Sequence, residues 1–308
     1  MRNWRSLARR FGYMAKSAVD HAIGRLLALV LRTIRYFDRL WVSNAFAWVA
    51  RSVGPWTGEH RIGRANLIAA FPEKSPDEIE RILLGVWDNL GRVVAEFAHL
   101  DRLAVGDPYR LPYLHFDAIS GRRFDQVRDD GKPALVFAAH LANWELPAIM
   151  SNAMGMDALV LYRRPNVGAV ADAVMAIRKG SMGTLVPTDM NAPIRLARSL
   201  ENNRHVAMLV DQHYGKGVDV TFFGRRCKAN PLIAALARHV ECPIHGTRVI
   251  RQPGGHFQAH FTEEIPPVRD AEGKVDIQGT MQAVTDVVEG WIREHPEQWL
   301  WLHRRWRD

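Results

Sequence analysis

The stretch 134–145, ALVFAAHLANWE, holds an apolar run that ends on a histidine and then turns into a helix start. Ala134 to Ala139 reads as a buried strand, opened by the loop signal Gly131-Lys132-Pro133. After His140 the chain turns through Ala142-Asn143, with Asn143 as the expected N-cap of a helix over 144–153. A strand, a polar turn and a helix start together form a common place to present catalytic groups. His140 and Glu145 lie five residues apart, a spacing that shares no face of a helix or a strand. They meet if the chain turns sharply between them. The carboxylate then fixes the imidazole tautomer, and His140 becomes a general base for a hydroxyl proton. In the plainer reading His140 caps the helix and Glu145 is solvated in its first turn.

Outward from this stretch the texture alternates. Short apolar runs at 157–162, 184–187, 205–210, 218–223, 243–250 and 256–262 alternate with helical patterns near 168–180, 191–202, 229–240 and 277–294. The pattern predicts an α/β fold with a mixed, mostly parallel central sheet flanked by helices, and late antiparallel strands. Ligands in such sheets bind beyond the carboxyl ends of the strands. Polar clusters stand there: Tyr162-Arg163-Arg164, Asp211-Gln212-His213 and Gly224-Arg225-Arg226. Arg163 and Arg164 suit a phosphate or a plain surface turn. Asp211 suits a structural role, holding a turn or an arginine.

Upstream of Gly106 the chain reads as helical. Gly106-Asp107-Pro108 suggests a division into an N-terminal region, 1–105, and an α/β domain, 106–308. Ser75-Pro76 starts a packing helix that runs to about Leu100. Across 22–50 an apolar stretch is interrupted by Arg25, Arg32, Arg35 and Arg39, which fall in one helical sector. It holds no clean apolar stretch of about 18 residues, and both a bilayer span and a surface helix stay open. It reads as an interfacial helix on anionic lipid, or as a core helix with a solvated edge. The C-terminal Trp299, Trp301, Arg304, Arg305 and Trp306 suit a lipid interface, or an aromatic clamp on the last helix.

Composition narrows the classes. The chain has 308 residues, 47% hydrophobic, with a net charge of +8, which points to anionic partners. Its two cysteines, Cys227 and Cys242, have no metal-ligand spacing. There is no Walker loop, no G-x-G-x-x-G and no G-x-S-x-G, and no motif supports nucleic-acid binding.

Taken in order, several motifs resemble those of one family. They are His140-Leu-Ala-Asn-Trp-Glu145, Tyr162-Arg163 with Pro165 and Asn166, Asp211-Gln212 with Gly215, Phe222-Phe223-Gly224, and Pro296 to Trp306. Upstream, Arg64, Asn66, Leu67 and Phe71-Pro72 extend the match from about residue 60 to the end. His-x4-acid is the mark of the lysophospholipid acyltransferase superfamily, and the set resembles the late acyltransferases of lipid A biosynthesis. The resemblance implies a glycerol-3-phosphate acyltransferase-like domain behind a membrane-associating helical segment. It implies transfer of an acyl chain from acyl carrier protein to a hydroxyl of a lipid A precursor. The place is the cytoplasmic face of a Gram-negative inner membrane, against anionic lipid, with acyl carrier protein thioester as co-substrate and no other cofactor. His140 is then the base and Glu145 its partner. Arg163 or Arg164, Asp211, Gln212 and Arg304 bind substrate. Arg164, a second arginine where the family pattern has one, leaves open which guanidinium serves. The alternatives are another glycolipid, glycerolipid or aminolipid acceptor, and a peripheral lipid-binding protein without catalysis.

Overall fold

The computed structural model describes residues 29–30, 33–103, 112–163, 175, 178 and 180–307. Among these residues seven strands form one sheet: β1 (Leu114–Phe116), β2 (Leu135–Ala138), β3 (Ala158–Tyr162), β4 (Thr184–Pro187), β5 (His205–Leu209), β8 (Ile244–Arg251) and β9 (Phe257–Glu264). Their order is β1-β9-β8-β2-β5-β3-β4. Strands β8, β2, β5, β3 and β4 run parallel, whereas β9 is antiparallel to β8 and parallel to β1. This is an α/β fold with a mostly parallel mixed sheet, and the opening stretch supplies its middle strand. All four β2 residues are buried, as a strand covered on both faces requires.

One expected strand lies elsewhere. Val218–Phe222 (β6) pairs antiparallel with Arg225–Ala229 (β7) in a separate two-stranded sheet. Phe223 and Gly224, with φ of 52° and 68°, form the two-residue turn that matches strand twist. Arg225 and Arg226 therefore belong to a hairpin rather than to a strand-end ligand cluster. Arg225 lies over the Trp306 ring at 4.8 Å.

The helices pack on both faces. α1 (Arg39–Val53), α2 (Gly58–Ala70), α3 (Pro76–Phe97) and the short α4 (Leu100–Leu103) precede the sheet. α5 (Ala118–Asp129), α6 (Leu146–Ala153), α7 (Ala192–Glu201), α8 (Leu232–Val240) and α9 (Ile277–Glu294) connect or follow its strands. α3 starts on a reciprocal cap: Ser75 Oγ accepts from Glu78 N at 3.3 Å, and Glu78 accepts from Ser75 N at 2.8 Å. Its buried face, Ile79, Leu83 and Val86, joins one core with Leu135, Phe137 and Val206 of the sheet. Gly91 lets α1 approach, because a Cβ there would sit 2.5 Å from the Phe46 carbonyl oxygen. The expected division near 105 falls within 104–111, outside the described residues. So does most of the helix expected over 168–180.

The stretch expected as one interfacial helix is not continuous. It turns at Arg35–Phe37 and restarts as α1, capped by Asp38 accepting from Trp41 N at 2.8 Å. Two residues of the expected basic stripe turn toward the protein instead. Arg35 donates to Ala98 O at 3.1 Å, and Arg39 stacks over Tyr113 at 4.1 Å. Arg25 and Arg32 lie outside the described residues. Among the described residues no helix is long and apolar enough to cross a membrane.

The C-terminal tryptophans form the clamp. Trp299 and Trp301 are fully buried and edge-on to each other, with centroids 4.6 Å apart. Phe71, Phe222, Phe223 and Trp306 surround them. Asn66 donates to Trp301 O at 2.9 Å, which ties the terminus to α2. Trp301→Ala should therefore destabilise by about 3–5 kcal/mol, read as a lower urea midpoint. A change below about 1 kcal/mol would mean the clamp adds little.

Candidate active site

Parallel pairing places Ala138 of β2 beside Leu209 of β5. Two residues beyond each, His140 and Asp211 face one another. His140 Nδ1 lies 2.7 Å from Asp211 Oδ1, and the His140 backbone N–H donates to Oδ2 at 2.7 Å. Trp299 Nε1 donates to the same Oδ2 at 2.7 Å. Asp211 is buried, which by itself raises a carboxyl pKa. The His140 charge and these bonds outweigh it and hold Asp211 well below the usual carboxylate range. Burial likewise opposes a charged His140, but Asp211, helped by Glu145, raises its proton affinity above 6.5. An ionised Asp211 assigns the proton to Nδ1 and leaves Nε2 as an acceptor. The Gln212 amide lies 3.2 Å from that Nε2.

The carboxylate that fixes the imidazole is thus Asp211, not Glu145, and Asp211 holds the histidine rather than an arginine. Glu145 instead takes Arg178, with Arg178 Nε donating to Oε2 at 2.9 Å and Nη2 to Oε1. The turn between them explains this. Ala142 is left-handed, with φ of 47°, a conformation that costs a non-glycine residue about 1–3 kcal/mol. It directs the chain into α6 with Glu145 at the cap position. Asn143 is not that cap. Its Oδ1 accepts from Glu145 N at 3.2 Å, and its Nδ2 donates to Glu96 at 2.9 Å.

A cavity of about 800 Å³ opens at His140. His140, Trp144, Glu145, Arg163, Arg178 and Gln212 line its polar part. Val136, Ala138 and Ala207 of the sheet and Met150 of α6 line its apolar part, together with Phe116, Phe124 and Phe261. The expected site residues therefore divide. His140, Glu145, Arg163 and Gln212 line the cavity, and Asp211 lies behind His140. Arg304 is exposed and is not among the lining residues. Its neighbour Arg305 is buried, donates to Lys228 O at 2.9 Å and stacks on Phe222. The terminal arginines thus brace the fold or face outward, away from the cavity. Arg164 lies outside the described residues.

A carboxylate-held imidazole whose Nε2, met among the described residues only by the Gln212 amide, borders a partly apolar cavity suits proton abstraction beside a bound hydrocarbon chain. The family model for bacterial lipid A biosynthesis acyltransferases matches residues 15–308. The chain belongs to this family. It is therefore an acyl-transferring enzyme of lipid A synthesis, with a lipid A precursor as the acceptor its family implies. Membership also implies association with the bacterial membrane. Compared with the curated proteins, this acyltransferase matches none. Trp299, Arg178 and Trp144 are parts of the site that sequence reasoning passed over. The Trp144 ring lies 5.2 Å from the His140 ring. Trp144 stood inside the motif, but nothing in the sequence sets Arg178 apart from a surface arginine.

Proposed function

We propose that this acyltransferase performs a late acylation, moving a fatty acyl chain from acyl carrier protein to a hydroxyl of the lipid A precursor. The observation that carries the reading is the Asp211–His140 pair, whose Nε2 meets an apolar cavity of acyl-chain size. Nε2 takes the hydroxyl proton as the oxygen attacks the thioester carbonyl. The tetrahedral adduct collapses to the ester and expels the thiolate, which takes the proton back from the imidazolium. Asp211 stabilises that imidazolium. Gln212, whose amide lies 3.2 Å from Nε2, turns from the imidazole as the hydroxyl takes its place and is assigned to the oxyanion. Arg163 and Arg178 hold phosphate of the acceptor or of the donor's phosphopantetheine, and Glu145 keeps Arg178 in place. Each methylene buried in the cavity contributes about 0.8 kcal/mol to donor binding.

Direct transfer is favoured over an acyl-enzyme on cysteine. Burial pushes the Cys242 thiol up to about 11 and raises Cys227 as well, so neither is a ready thiolate. The thioester is the only activated group the chemistry requires, so no further cofactor is assigned.

The N-terminal region carries the lipid contact, and the residues beyond 106 carry the chemistry. The outer side of α1 exposes Trp41 and Trp48, 63% and 64% accessible, with Val49 and Val53, and Trp56 follows at 88%. These are headgroup-layer residues, and the net charge of +8 suits anionic lipid and an acidic carrier protein. An acyl carrier protein donor places the reaction at the cytoplasmic face of a Gram-negative inner membrane. Purified protein with a tetra-acylated, sugar-bearing precursor should add one acyl group by mass spectrometry, faster from acyl carrier protein than from coenzyme A thioesters. No mass gain from folded, lipid-bound protein with either donor would contradict the reading.

A further inference from the structure

The turn that carries His140 is gripped from behind. Asn89 Nδ2 donates to Ala142 O and to Gln298 O, both at 3.1 Å. The Ala142 N–H donates to Gln298 O at 2.8 Å, and Leu300 N donates to His140 O at 3.1 Å. Asn143 reaches Glu96 as described. Asn89 and Glu96 stand two turns apart on α3, so both face this turn. Arg251, the last residue of β8, meets both: its Nε donates to Asn89 Oδ1 at 3.0 Å, and its Nη2 to Glu96 Oε2 at 3.1 Å. Gln298 then accepts from Arg251 N at 2.8 Å, which closes the network. Because β8 borders β2, Arg251 emerges at the same end of the sheet as His140.

We infer that the Glu96–Arg251 ion pair, with Asn89 and Asn143, is a positioning device that fixes the left-handed turn at Ala142 and so sets His140 against Asp211. The inference rests on the reading of His140 as the base. Glu96, Asn89 and Asn143 are buried, and a desolvated ion pair is poor cement compared with apolar packing. The directional bonds around it do what apolar packing does not: Asn89 holds the carbonyl of the strained residue and, through Gln298 O, its amide, and Glu96 holds the side chain of the next one. None of the four lines the cavity at His140. They act through the placement of the imidazole.

The test uses the full-length protein with two readouts, acyl transfer and NMR titration of the His140 ring, which faces Asp211, Glu145 and Arg178. Asn89→Ala should lower kcat about tenfold to a hundredfold with KM within about twofold. It should also move the His140 titration down toward 6.5, from the raised position of the wild type. N143D sets two buried carboxylates against each other and should lose more. E96Q keeps the hydrogen bond to Asn143 possible but dissolves the ion pair with Arg251, and should lower kcat about as much as Asn89→Ala. A folded Asn89→Ala protein with wild-type kcat and titration overturns the inference, as does a folded E96Q protein with wild-type kcat. If N143D does not fold, the Asn89→Ala pair of readouts still decides. A titration that moves as expected in a protein that transfers no acyl group supports the brace and overturns the acyl-transfer reading instead.

Discussion

His140→Asn should lower turnover by about a hundred- to ten-thousand-fold, the usual size of a lost general base. Asparagine is the informative replacement because its amide nitrogen can stand where Nδ1 stands and still donate to Asp211. His140→Ala should lose as much activity. It also strips one donor, Nδ1, from a carboxylate that is fully buried, so its fold weakens as well. Comparing the two separates chemistry from stability. The stability effect has a definite pH sense. The raised proton affinity of His140 contributes stability that is fully present below about 6.5 and fades as pH rises through its folded value. The urea-midpoint gap between wild type and His140→Asn should therefore be wider at about pH 5.5 than at about pH 8.5. Turnover by His140→Asn within tenfold of wild type would mean the imidazole is not the base.

Asp211→Asn should cost about as much, for a different reason. Three N–H groups converge on this carboxylate: His140 Nδ1, the His140 backbone amide and Trp299 Nε1. A carboxamide has one oxygen and one NH2; with the oxygen on the two N–H groups that share Oδ2, the NH2 faces Nδ1 and makes it the acceptor, so the proton moves to Nε2 and the base is lost. The imidazolium also loses its counter-charge while its burial remains. Turnover should drop about a hundred- to ten-thousand-fold, and the His140 titration should fall. Glu145→Gln should be milder, about tenfold, because it releases Arg178 but leaves the Asp211 pair in place. Steady-state kinetics with purified variants orders them. A larger loss from Glu145→Gln than from Asp211→Asn would return the imidazole's partner to Glu145.

That partner is where the sequence ran out. The strand, the turn and the helix of residues 134–153 were legible from apolar run length and loop residues, and so was the parallel character of the sheet. The pairing of β2 with β5 was not, because local periodicity carries no information about which strands are neighbours. Without it Asp211 remained a polar strand end, and the carboxylate nearest in sequence, Glu145, took its place. The hairpin β6–β7 was hidden because Phe223-Gly224 reads as the end of one strand unless the partner strand is already known. The Trp299 role was hidden in the same way: a tryptophan pattern looks alike whether the indole N–H meets a headgroup or a buried carboxylate. The broken helix at Arg35–Phe37 was legible in principle from Asp38, a cap residue before Arg39, but the Arg sector at helical spacing masked it.

The most direct test of the account is the pH dependence of kcat/KM for acyl transfer by the wild-type enzyme. A base must be neutral to act, so activity should rise with pH through the His140 titration. Asp211 and Glu145 raise that titration against burial, so the acid limb should lie above 6.5. The limb should move to lower pH in Asp211→Asn. A profile that is flat across the histidine range, or a limb that Asp211→Asn leaves in place, would contradict the assignment of His140 and Asp211 as the catalytic pair.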